Sequence, residues 1–203
     1  QNNGNILIQG GVWSSCVLHV QTAVADYDPI FNANDWKSTD VTMSFSGKVA
    51  ANFLRSNATH QSDTLLTSDT SLIILYAVNW ASNATQRMFF LSNQAALSTN
   101  YKCVFSTMNV PFLDMSNALS VVMNDSTFYL QRRGFYIPST ANPTLTISFS
   151  TIQHASIMPS DFALYIESAA SVVELNAVTM KCTHCALTSC SIKFTNYLNT
   201  SCF

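Results

Sequence analysis

The stretch SVVELNAVTM, residues 171–180, decides how this chain is read. Val173 and Leu175 alternate with polar neighbours as a strand requires; Asn176 and Ala177 then intervene, and the apolar beat resumes at Val178 and Met180. Counted from Val173, the apolar positions fall at offsets 0, 2, 5 and 7. Successive side chains of a strand point to opposite faces, so one extra residue turns the chain while returning the next apolar group to the same interior. The pattern describes a strand, a corner and a second strand.

The same beat recurs on either side. Ile73, Leu75, Val78 and Trp80 fit it, as do Cys103, Phe105, Met108 and Val110, and Ile147, Phe149 and Ile152 supply three of the four positions. Weaker copies start at Ile6, Met43, Val121 and Ile192. The residue after the second apolar position is usually small or carries an amide: Gln9, Ser46, Ser106, Asn124, Ser150, Asn176. Such side chains suit corners, because they hydrogen-bond the local backbone and Asn tolerates left-handed dihedrals. The spacing of successive starts is uneven and averages to a loose repeat of about 25 residues, within the range of repeat architectures.

Strands and corners repeating at that length predict a solenoid, in which no turn buries its own apolar face and each must stack on its neighbours. The expected fold class is all-β, a parallel β-helix of about eight irregular coils. It forms a single domain over residues 1–203 with a Cys-rich C-terminal segment, 182–203. The pattern resembles the right-handed parallel β-helix of the pectate-lyase-like superfamily, carried best by SVVMNDSTF, TLTISFSTI, SVVELNAVTM and CSIKFTNYL. The alternative is an antiparallel β-sandwich or jelly roll, which also consists of short alternating strands between polar turns. Lys48, Ser126, His154 and Asn199 fall at positions that a solenoid would turn inward, and five glycines are few for so many corners. Short helical turns are expected over 111–119 or 160–170.

Hydrophobic residues make up 48% of the chain and charged residues 10%, so Ser, Thr, Asn and Gln must cover much of the surface. A net charge of −2 without a Lys/Arg run leaves no electrostatic footprint for nucleic acid or an anionic membrane. The longest apolar run, residues 72–81, is shorter than the roughly 20 residues of a membrane-spanning helix. A start at Gln1 without an initiator Met suits a secreted protein that has lost its leader. Six cysteines, an even number, favour an oxidising compartment.

Within the Cys-rich segment, Cys182 with Cys202 and Cys185 with Cys190 are candidate bridges, other pairings remaining open. Cys16 and Cys103 discriminate between the folds. In the solenoid they belong to the first and fourth coils, about 14 Å apart along the axis, too far to bridge, whereas two sheets of a sandwich would join them. Cys182-Thr-His184-Cys185 has the look of a zinc knuckle, but the secretory context opposes it and no metal site is assigned. Asn57, Asn83, Asn124 and Asn199 head potential glycosylation sequons, making N-linked glycans expected attachments.

The resemblance to pectate lyases implies a polysaccharide-cleaving enzyme, with paired carboxylates or a carboxylate cluster holding Ca²⁺. Neither is visible. Asp26 and Asp28 read as turn carboxylates, Arg132 and Arg133 as surface charges, and the four histidines have no adjacent nucleophile. No catalytic residue and no cofactor is assigned. The expectation is a non-enzymatic secreted glycoprotein whose coils, from Ile6 to near Phe203, lack polar caps. Such a chain would stack head to tail on itself into a filament or surface coat, the alternative explanation of the missing caps being that it is one segment of a longer solenoid. The alternative is a secreted or cell-surface carbohydrate-binding module that offers Trp36, in the polar loop 32–37, to a sugar, with Trp13 and Trp80 in the core. A β-helix enzyme comes third.

Overall fold

A computed structural model describes residues 5–22, 30–83, 86–116, 118–155, 162–168, 170–182 and 192–194. Every regular element among them is a strand and every strand pairing is parallel. The chain winds as a parallel β-helix of about seven turns. The sandwich alternative is ruled out, because its strand pairings would be antiparallel.

The first face stacks eight strands in chain order: Ile6–Gln9, Ile30–Asn34, Ala50–Leu54, Leu72–Tyr76, Ala96–Asn100, Ser120–Asn124, Thr144–Ser148 and Val172–Asn176. Each opens one rung. From the third rung on, two further strands complete it. The second face takes Asn57–His60, Asn79–Ser82, Cys103–Thr107, Ser126–Leu130, Thr151–His154 and Thr179–Cys182. The third face takes Leu66–Asp69, Phe89–Ser92, Leu113–Asp114, Phe135–Ile137, Leu164–Ile166 and Ile192–Phe194. In the first two rungs, Val12–Gln21 and Lys37–Ser46 serve both faces; Lys37–Thr39 pairs with the second face and Met43–Ser46 with the third.

The corner after the first face explains the broken beat. Ile6, Phe31, Ala51, Ile73, Leu97, Val121, Leu145 and Val173 stand in one register column. The fourth residue after each has positive φ: Gly10, Asp35, Arg55, Ala77, Tyr101, Asp125, Phe149 and Ala177. A single left-handed residue between two extended segments swings the chain onto the next face, and that is the extra residue of the beat. In the opening stretch the residue that turns is therefore Ala177 (φ 52), not Asn176, which is the last residue of its strand.

The register also corrects the repeat. Rungs differ in length, the shortest running from Ile30 to its partner Ala50 and the longest from Thr144 to Val172. The starts at Ile6, Ile73, Val121 and Val173 agree with it; Met43, Cys103 and Ile192 belong to other faces. The frame at Ile147 is one step late. Leu145, Ile147, Ser150 and Ile152 point inward, and Phe149 stands 70% exposed on the corner. Likewise Thr107 rather than Met108 is buried, and Lys48 lies exposed beside the Gly47 corner. Ser126 and His154 do face inward. The helical turns expected over 111–119 and 160–170 are bends and short strands in the described residues.

Aromatic rings form a continuous column inside the coil. Trp13, Trp36, Phe53, Trp80, Phe89, Phe105, Phe112, Phe128 and Phe135 follow one another at centroid distances of 5.1 to 5.9 Å. Each ring thus bridges neighbouring rungs, combining apolar burial with edge-to-face and stacked contacts. Gly134 makes room at the end of this column: a Cβ there would lie 2.2 Å from the carbonyl oxygen of Ala163.

Candidate functional site

Chemistry-bearing side chains gather on the outside of the third face, where the parallel register fixes their spacing. Thr67, Phe90, Asp114, Tyr136 and Tyr165 occupy one outward column, one residue per rung. Arg87 and Arg133 enter the same face just before their strands, on rungs four and six.

Each arginine lies over an aromatic ring. The Arg87 guanidinium is 4.9 Å from the Phe90 centroid and forms an ion pair with Asp114 on the next rung. Arg133 is 4.9 Å from Tyr136 and 5.1 Å from Tyr165. Tyr136 donates its phenolic proton to Glu167 at 2.9 Å. Burial, reinforced by that carboxylate, pushes the Tyr136 phenol up to about 12. Glu167 is held below the usual carboxylate range, first by the Tyr165 hydroxyl and also by the Tyr136 hydroxyl and the Arg133 charge. The stripe therefore presents rigid rings with matched positive and negative charge.

Below Arg87 the third face is concave. Thr42, Asp63, Thr64, Thr67, Gln86, Arg87 and Phe90 line a cavity of about 240 Å³ whose wall is mostly apolar. Asp63 of this wall also donates its backbone N–H to Nε2 of buried His60 at 3.2 Å, and His60 Nδ1 lies 3.5 Å from Asp40. Burial lowers the His60 pKa, against the opposing pull of Asp40. Asp40 is itself lowered, first by the Ser62 hydroxyl and then by the Gln61 backbone N–H.

The residues singled out in the sequence fall elsewhere. Trp36 is fully buried, packed on Trp13 and Phe53, and offers nothing to a sugar. The stretch 32–37 reads as a polar loop because Asn32 and Asn34 point outward and Asp35 turns the corner, leaving Trp36 to fill the rung. Trp80 is core as expected, its indole donating to Ser56 at 3.0 Å, while Trp13 is half-buried on the first rung.

Asn57 is exposed on the second face and Asn83 is exposed just after it, its amide oxygen accepting from Asn109; Asn124 is half-buried at a strand end. Cys16 and Cys103 carry free thiols. They lie four rungs apart, about 19 Å, one rung more than the sequence frame places them. Cys182 ends a second-face strand in register with His154. Asp26, Asp28, His184, Cys185, Cys190, Asn199 and Cys202 lie outside the described residues. No helix among the described residues is long and apolar enough to cross a membrane, and no three His, Cys, Asp or Glu side chains among them converge as a metal site would require.

The third-face stripe escapes sequence reading because each member is separated from the next by a full rung of chain. Only with the true register do Phe90, Asp114, Tyr136 and Tyr165 become neighbours. No family model, curated protein or solved structure matches the chain.

Proposed function

We propose that this chain is a non-enzymatic extracellular glycoprotein, the repeating subunit of a filament or surface coat, which grows by stacking the last rung of one copy on the first rung of the next. The first rung, which has an unpaired strand edge among the described residues, carries this reading. Ile6–Gln9 and the strand beginning at Val12 each pair on one side only among the described residues. Ile6 is 46% exposed at an inward position, and Trp13 and Leu18 are only half-buried. The equivalent residues two rungs further in, Ala51, Ala58 and Leu66, are fully buried.

The other end matches in chemistry. Val172–Asn176 also lacks an outer partner among the described residues, and Leu175 is 37% exposed at an inward position. A parallel edge with an apolar interior is completed by another edge of the same kind, and a heterologous contact between the two ends does not close, so it propagates. A surface with few charges offers little repulsion against that contact. Glycans on Asn57 and Asn83 would project from the sides and leave both ends clear.

Sedimentation velocity over a hundredfold concentration range, with electron microscopy of the same samples, tests the proposal. Filaments with an axial repeat near 38 Å, eight rungs at about 4.8 Å, are expected. Ile6→Lys and Leu18→Lys, which put charge on the open end, should abolish them. A monomer at every concentration refutes it.

A further inference from the structure

Two tyrosines meet on the outside of the first corner. Tyr76 ends the fourth-rung strand Leu72–Tyr76, and Tyr101 is the corner residue of the fifth rung. Their rings are stacked, with centroids 5.1 Å apart and planes inclined by 12°. Both are open to solvent, at 41% and 49%. The backbone beneath them is tied: the Ala77 N–H is shared between the carbonyl oxygens of Asn100, at 3.2 Å, and Tyr101, at 3.1 Å. Tyr101 holds its place at a cost, because it is left-handed with φ 58, as is Lys102 with φ 52, where a glycine would be free of strain. The Lys102 ammonium lies 5.5 Å from the Tyr101 centroid.

The pair formed by Tyr136 and Tyr165 is built differently. Its rings are tilted by 40°, the Tyr136 hydroxyl is bound to Glu167, and the Arg133 guanidinium lies over both. The hydroxyls of Tyr76 and Tyr101 are tied to no carboxylate among the described residues. A phenol that loses one electron and one proton becomes a radical whose unpaired electron spreads to the ring carbons beside the oxygen. Two such radicals couple only when they meet. Rings already stacked on neighbouring rungs need only turn about their side-chain bonds, so an encounter between molecules becomes a step within one. We propose that Tyr76 and Tyr101 are an oxidative cross-linking site, where a haem peroxidase with hydrogen peroxide joins rung four to rung five as dityrosine. The peroxide takes one electron and one proton from each phenol and leaves as two water molecules. One carbon–carbon bond then forms between ring carbons ortho to the two oxygens, and each of those carbons releases its hydrogen as a proton while a proton returns to the oxygen. Both phenols are restored, and the net change is the loss of two hydrogens.

The intact chain, treated with a haem peroxidase and one equivalent of hydrogen peroxide, should gain dityrosine fluorescence, with a yield per chain unchanged over a hundredfold range of protein concentration. Trypsin cuts after Arg55, Arg87 and Lys102, so Tyr76 and Tyr101 leave in separate peptides, 56–87 and 88–102, neither of which holds another tyrosine. After deglycosylation, mass spectrometry should find these two peptides joined and two hydrogens lighter than their sum. Tyr76→Phe or Tyr101→Phe should lower the yield at least tenfold, while Tyr129→Phe, at an exposed tyrosine of the second face, should not. Phenylalanine keeps the stacked ring, and thermal unfolding confirms that the variants are folded. Cross-links that join other tyrosines in preference, a yield that rises with concentration, or fluorescence that survives either substitution overturns the proposal. None of these outcomes depends on end-to-end stacking, so the two proposals stand or fall separately.

Discussion

The residue at the first corner is left-handed in every rung, yet only Gly10 among the eight is a glycine. For other residues that conformation costs roughly 1–2 kcal/mol, which the neighbouring rungs must supply. Ala77→Gly, at a corner with φ 53, should therefore stabilise the protein by up to about 1 kcal/mol in urea unfolding, the extra flexibility of the unfolded chain offsetting part of the gain. Ala77→Val should do the reverse.

Two other residues give tests of burial. Burial raises the pKa of the Cys103 thiol, so iodoacetamide followed by mass spectrometry should modify half-buried Cys16 in the native protein and Cys103 only after unfolding. Burial also lowers His60 below its ordinary value of 6.5. Below that pH the unfolded chain takes up the proton before the folded one does, so stability present above pH 6.5 is lost as pH falls through the folded pKa. Asp40, lowered from 3.8, adds a loss of the same sign in a more acid window. The midpoint of thermal unfolding should therefore fall from pH 7.5 to pH 5.5, and His60→Gln should flatten that slope.

At the level of the strand, stability depends on what each inward position hands to the rung above. Trp80 touches Phe53 below and is stacked on Phe89, and its indole N–H is satisfied by Ser56. Trp80→Ala should cost about 3–5 kcal/mol, because the rungs on both sides are tied to a fixed spacing and cannot collapse into the void. Gly134→Ala tests the opposite error. Its methyl group would meet the Ala163 carbonyl oxygen and the Leu130 side chain, forcing two rungs apart, and chemical denaturation should show a loss larger than a surface Gly→Ala change brings. Both substitutions change one side chain and disturb three strands.

The whole molecule is close to one-dimensional, since each rung contacts the rungs next to it and the interior aromatic column runs through their midst. Stability in such a stack is a sum of rung and interface terms, and opening starts where an interface is missing. Hydrogen exchange should be fastest in Ile6–Gln9 and Val172–Asn176 and slowest in Leu72–Tyr76, Ala96–Asn100 and Ser120–Asn124. Uniform protection along the axis in dilute solution would show that the ends are covered. Protection of the end strands that rises with concentration is the signature of the proposed stacking.

How much is legible in the sequence differs between these scales. The 2-3-2 beat reveals strand, corner and inward direction from Val173 or Ile73 alone, because the period of a strand and the extra corner residue are local properties of the backbone. The rungs that start at Phe31, Ala51 and Leu97 escape it: their inward positions include Ala33, Ser38, Ser56, Ala58 and Thr99, whose burial comes from neighbouring rungs rather than from their own hydrophobicity. Trp36 reads as a loop residue for the same reason.

By itself, then, the sequence determined an all-β chain with a solenoid as the leading reading, rungs of roughly the right size and the place of Trp80 in its core, while the separation of Cys16 from Cys103 followed only once the solenoid was chosen over the sandwich. Tertiary structure alone decided which residues share a column, and with it the third-face stripe and cavity. Stacking brings together residues a full rung of chain apart, and because the rungs differ in length, only the hydrogen-bonded register says which side chains become neighbours.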